Sequence, residues 1–208
     1  MQSFENLDSA HFEVLREVGN IGAGNAITAL SKILGKKVNM TIPIINLLEF
    51  KDIATFVGGP ENTIIGILVG ISGDINGIMM FIIKLEQAKT LINILFGRES
   101  KNENIKDFDE IEISALKEVG NILSSSYLGS LSQLFNFKIT PSVPYLSIDM
   151  ANAILSVPAI AFSKVADKVL FIESVFDAEG KDVSGYFVLV PEMASFPVML
   201  KALGVLGV

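Results

Sequence analysis

The chain has 208 residues, half of them hydrophobic and 19% charged, with 16 basic and 23 acidic residues. A net charge of −7, with no basic run longer than Lys36–Lys37, argues against binding nucleic acid by neutralising phosphates. The absence of cysteine removes disulfides, thiolate nucleophiles and thiolate metal sites. The one histidine, His11, cannot form a metal site or a triad by itself, and its place at the start of a helix suits packing or capping. No metal site is expected. Mean hydropathy is positive, +0.52, but the most apolar stretch, 63–84, is interrupted by Gly66, Gly70, Gly73, Asp74, Asn76 and Gly77. A spanning helix needs about 20 nearly unbroken apolar residues, and the N-terminus has no basic region followed by an apolar run. A soluble, cytoplasmic chain without membrane insertion is therefore expected.

Apolar spacing predicts a first helix over 8–34, in which Leu15, Val18, Gly22, Ala26, Ala29 and Ile33 form the inward stripe and Gly35 supplies the stop. Strands rich in Val, Ile and Phe follow at 37–50, 62–72 and 76–85, separated by Gly, Pro, Asp and Asn turns. A short helix over 86–96 ends at Gly97, and the polar segment 98–108 reads as a linker. The second half gives a helix at 110–135, strands near 137–149, 153–163, 168–177 and 183–190, and a helix at 192–203. Hairpin-spaced strands beside helices imply an α+β (mixed α/β) fold with a largely antiparallel or mixed sheet.

The two halves repeat. Residues 15–21, LREVGNI, align with 116–122, LKEVGNI, at an offset of 101, which also carries Lys37 onto Lys138 and Pro43 onto Pro144. Further along, 74–88 resembles 181–194, with Gly77 matched to Gly185. The chain therefore reads as a single domain, 1–208, built from two α-β-β-β-α repeats at approximately 8–97 and 109–205, the second with an extra strand.

The outward faces of the two long helices hold the candidate site. On the first lie Glu13, Glu17, Asn20, Gly24, Thr28 and Ser31; on the second lie Ser114, Glu118, Asn121, Ser125, Gly129 and Ser132. Positions three and four apart share a helix face, so Glu and Asn stand together in each copy. Beyond them the stripe contains only small residues, although glycine costs about 1 kcal/mol in a helix interior. A face cleared in this way leaves room for a close partner, whereas Gly22 points inward to packing. GNIGAG runs opposite to the dinucleotide fingerprint, and the sequence holds no phosphate-loop motif.

At these residues the chain resembles the CheC family of chemotaxis phosphatases, in the CheC/CheX/FliY group, whose signature is [DS]-x3-E-x2-N followed by 22 residues and Pro. Ser114, Glu118, Asn121 and Pro144 fit throughout; Glu17, Asn20 and Pro43 fit, while Glu13 stands where Asp or Ser is expected. The resemblance implies a pseudo-two-fold fold with both signature helices on the outside, and hydrolysis of the phospho-aspartate of CheY. It implies Glu17, Asn20, Glu118 and Asn121 as catalytic residues, with Glu13, Gly24, Ser114 and Ser125 supporting them. Pro43 and Pro144 read as structural residues at strand edges or bulges, since proline cannot donate within a ladder. No cofactor of its own is implied; Mg²⁺ would be carried by the phosphorylated regulator. CheD is an expected second partner. The alternative is a non-catalytic module, either a flagellar-switch component like FliM or FliY or a CheD-binding adaptor.

Overall fold

The computed structural model describes residues 8–41, 43–98, 108–162, 168–178 and 181–204. Nearly all of the expected linker, and the end of the second repeat, lie outside these residues. The first half runs α1 (Ser9–Leu34), β1 (Val38–Met40), β2 (Ile44–Glu49), α2 (Phe50–Phe56), β3 (Thr63–Gly73), β4 (Gly77–Lys84) and α3 (Leu85–Leu95). The second runs α4 (Glu110–Phe135), β5 (Ile139–Pro141), β6 (Tyr145–Met150), α5 (Ala151–Phe162), β7 (Lys168–Ala178), β8 (Lys181–Pro191) and α6 (Ser195–Ala202). The order is thus α-β-β-α-β-β-α twice, and two helices correct the sequence reading. The strand expected at 37–50 is broken by Pro43 and gives way to α2. The strand expected at 153–163 is α5. Its only polar residues are Asn152 and Ser156, too few to mark the helical period: Ala151, Ile154, Leu155 and Pro158 are buried at a spacing of three and four, while Val157 and Ile160 are exposed.

The bounds of α1 and α4, β1 and β5, and β2 and β6 all repeat at the offset of 101 seen in the sequence, and those of β3 and β7 at 105. The longer α5 lies at the change. Gly77 and Gly185 do different jobs: Gly77 opens β4 opposite Pro191, whereas Gly185 lies within β8 opposite Ile83, where a Cβ would meet the Phe81 ring at 2.4 Å.

Eight strands form one sheet, in which every pairing among the described residues is antiparallel. The order is β1–β7–β8–β4–β3–β5, with β2 also on β7 and β6 also on β3. The first two strands of each half therefore add to the sheet through the other half. Alternation along the strands feeds two cores. Ile65, Ile67, Val69 and Ile71 of β3 face the layer that holds α1, α3, α4 and α6, while Ile64 faces α2 and α5. Each fully buried aliphatic side chain of this kind contributes about 1.5–3 kcal/mol.

Both long helices carry the same terminal devices. Asp8 caps α1 by accepting from the backbone of Ala10 and His11, and the His11 ring accepts from the Asp8 backbone in return. The capping reading of His11 holds. Asp109 and Glu112 form the equivalent box on α4. Left-handed residues close both helices, Gly35 at φ 60° and Asn136 at φ 54°. Glu112 is buried and also receives Lys89 Nζ at 3.2 Å and Arg98 at 2.8 Å, which fastens the end of the first half to the start of the second.

α1 packs directly on α4. The inward stripe of α1 is Leu15, Val18, Gly19, Gly22, Ala23, Ala26 and Leu30; it continues four residues on to the partly buried Leu34, which leaves Ile33 off the stripe and half exposed. A Cβ on Gly22 would meet Tyr127 at 2.9 Å from Cδ1 and 3.0 Å from Cα, so two backbones approach closely at this point. Tyr127 is buried, lies tilted against Phe187 with ring centroids 4.4 Å apart, and shares a 2.9 Å hydrogen bond with Ser174 of β7. Burial pushes its phenol up to about 12, against the opposing pull of the Ser174 hydrogen bond.

Gly22→Ala is expected to force the helices apart and cost about 1–3 kcal/mol, read as a lower urea midpoint at unchanged slope. The raised phenol has a definite sign in pH: the folded state keeps a proton that the unfolded state releases from its ordinary value of 10.0. That stabilisation is complete below pH 10 and lost as pH climbs to about 12. Urea titrations should show the wild type losing its lead over Tyr127→Phe across this window.

Candidate functional site

The pairs Glu17–Asn20 and Glu118–Asn121 each occupy the middle of a long, doubly capped helix, on the side away from the sheet. Both glutamates are exposed and both asparagines are half buried. Among the described residues none of these four side chains has a hydrogen-bond or ion-pair partner. Each helix thus presents a carboxylate and, one turn on, a carboxamide offering one acceptor and two N–H donors. Rigid elements hold them, because both helices are pinned through the contact of Gly22 with Tyr127 and through the bond from Tyr127 to Ser174.

The glycine between Glu and Asn is the residue that sequence reasoning passed over, although it stands in both copies. A Cβ on Gly19 would lie 3.2 Å from Ile45 Cδ1 and 3.7 Å from Pro43 Cβ. On Gly120 it would lie 2.6 Å from Ile67 Cδ1 of β3. These glycines let the helices settle onto the sheet layer beside the asparagines. Contact with Gly19 also gives Pro43 a place: it is buried against α1 in the break between β1 and β2, and Pro144 occupies the matching break between β5 and β6. The prolines stand beside the strands they were expected to edge, and the missing N–H accounts for the break.

The supporting residues divide. Glu13 is exposed and ion-paired with Arg16. Ser114 is exposed, but its hydroxyl donates to the Glu110 carbonyl at 2.8 Å, so it serves the helix backbone. Gly24 is exposed with open space where a Cβ would stand, and Gly129 is equally unobstructed; Ser125 is half buried. Thr28 donates to Gly24 O at 2.9 Å. The stripe ends in joints: the Ser31 hydroxyl accepts from the Val38 backbone at 3.2 Å, and Ser132 donates to Phe137 O at 2.6 Å. The first ties α1 to β1, and the second ties α4 to the turn that leads into β5.

The glycines of α1 and α4 should therefore respond with opposite signs. Gly24→Ala is expected to raise stability by about 0.5–1 kcal/mol through helix propensity. Gly120→Ala, which drives a methyl into Ile67, should lower it by about 1–3 kcal/mol. Thermal and urea unfolding of the two variants check this division.

A family model for the CheC-like family matches residues 13–47 and 111–148, the segments that hold both Glu/Asn pairs and both prolines. The chain is 34% identical over 206 residues, 98% of its own length and 99% of the relative's, to the CheY-P phosphatase CheC of Bacillus subtilis (strain 168). The crystal structure of Thermotoga maritima FliY shares the fold, with a TM-score of 0.74 at 23% identity over 95% of this chain and 98% of that one. So does the middle domain of FliM from H. pylori, with a TM-score of 0.68 at 13% identity over 94% and 99%. No helix among the described residues is long and apolar enough to cross a membrane. On a near full-length identity of 34%, together with both matched motif segments, the chain belongs to the CheC-like family.

Proposed function

We propose that this chain is a CheY-P phosphatase that hydrolyses the phospho-aspartate of the response regulator at two sites, one on each long helix. The observation that carries this reading is the pairing of an unengaged carboxylate and an unengaged carboxamide on the outward face of both α1 and α4. An acyl phosphate is already activated toward hydrolysis, so the protein's task is positioning rather than nucleophilic attack. Asn20 and Asn121 place a water in line with the P–O bond that breaks, as an orienting glutamine does in GTP hydrolysis. The water oxygen bonds to phosphorus, the bond from phosphorus to the aspartate oxygen breaks so that the carboxylate leaves, and inorganic phosphate departs as H2PO4− with both of the water's protons. Glu17 and Glu118 hold the partner in register by pairing with a cationic side chain beside its phosphorylated residue.

In this reading the chain brings no cofactor. Mg²⁺ arrives with the phosphorylated regulator, where it neutralises phosphoryl charge. Gly24 and Ser125 keep the face low enough for that approach. The same reading places the chain in the cytoplasm with its substrate and expects CheD as a second partner through family membership.

Dephosphorylation of CheY-P should be followed with wild type, Asn20→Ala, Asn121→Ala and the double variant. Each single variant is expected to retain part of the activity. The double variant should lose about 100-fold or more, the size expected when a positioned polar group is removed. A double variant as fast as wild type refutes the role of the amides. Wild type that binds CheY-P without hastening its decay would establish the switch or adaptor module instead.

A further inference from the structure

One turn before each site asparagine, and on the same side of the helix, stands a cation: Arg16 before Asn20 and Lys117 before Asn121. Residues four apart on a helix are neighbours about 6 Å apart along the axis, so each cation borders the face on which a phosphoryl group would rest. The two copies treat these cations differently. Arg16 is engaged by Glu13, three residues earlier, in an ion pair whose members are both largely exposed. Lys117 has Ser114 at the matching position, and that hydroxyl is turned back to Glu110 O. Among the described residues Lys117 has no ion-pair partner, and it is half buried, the burial expected of a lysine whose apolar stem packs and whose ammonium group stays in water.

Resting on the phosphatase reading, we propose that Arg16 and Lys117 are substrate-binding cations, one at each site, that attract the dianionic acyl phosphate on the partner. Glu13 occupies Arg16 and so makes the first site the weaker binder. This gives the difference between the two copies at this position, Glu13 against Ser114, a physical consequence. An acidic residue at position 13 sequesters the neighbouring cation, whereas a serine at 114 leaves its cation available. The effect falls on binding and not on the water-orienting step, because neither cation lies beyond the asparagine toward the cleared end of the face.

Steady-state kinetics on single-site proteins test this. In an Asn121→Ala background, where only the first site turns over, Glu13→Ser is expected to lower KM about fivefold with kcat unchanged, the scale of one surface ion pair. Adding Arg16→Gln should abolish that gain. If the gain survives without Arg16, or never occurs, the inference is overturned, because Glu13 then acts by its own charge or not at all. In an Asn20→Ala background, Lys117→Gln should raise KM about fivefold while Lys117→Arg retains the wild-type value; a change in kcat alone overturns the binding role. Binding of beryllofluoride-activated CheY reads the cation independently of turnover. Lys117→Gln should weaken it, Lys117→Arg should not, and unactivated CheY should be insensitive to both. A wild type that binds but does not hydrolyse refutes the phosphatase reading and leaves this comparison standing; equal binding by all three proteins refutes the inference alone.

Discussion

The approach of α1 to α4 at Gly22 and Tyr127 is the constraint on which the rest of the molecule depends. Only a residue without a Cβ allows the two backbones to come so close, and Tyr127 then reaches past α1 to Ser174 in the sheet. One aromatic side chain therefore fixes helix to helix and helix pair to sheet. Once that is settled, the opposite sides of both helices must face outward. Gly19 and Gly120 lower them onto Pro43, Ile45 and Ile67, and the asparagines come to rest half buried at the rim of the contact. The exposed site is a by-product of how the buried side is packed.

The crossing also shows what joining two copies in one chain allows. At matching positions α1 carries Gly22 and Ala26 where α4 carries Leu123 and Tyr127. α4 supplies the large side chains and α1 the space for them. Two identical subunits related by a true two-fold axis would have to carry the same residue at each matching position. In one chain each copy can take one half of a complementary pair, while the residues on the outward face stay alike. The same freedom appears at the helix starts, where His11 completes a local cap and Glu112, at the matching position, also gathers Lys89 and Arg98.

Local features were legible in the sequence because they have local causes. Helix α1 and its stop at Gly35, the strands β3, β4, β7 and β8, and the outward placement of Glu17, Asn20, Glu118 and Asn121 all follow from periodicity and turn chemistry. Helix α5 was not legible. Val157 and Ile160 are exposed yet apolar, and after Asn152 only Ser156 is polar, so the outward face leaves little mark of the period. The glycine inside each Glu-x-x-Asn motif was visible as a repeat, but its reason lies in contacts with Pro43, Ile45 and Ile67, which are distant in sequence. The crossed pairing of β2 with β7 and β6 with β3 leaves no local trace, since a strand's pattern says which face is buried and not which neighbour it finds.

That crossed pairing has a consequence for how the chain is made. Glu49 closes its ladder against Lys168, about 120 residues later, and at ordinary synthesis rates of about 5–20 residues per second the wait is roughly 6–24 s. Through that interval β1 and β2 have emerged with no native strand to pair with, while β3, β4 and α3 can already assemble as a hairpin and its helix. The nascent chain thus carries an open, apolar segment at its leading end until the second half is nearly complete. Its folding rate is set by the closing of that long loop, and it is during synthesis, more than in the finished fold, that the protein is vulnerable to aggregation.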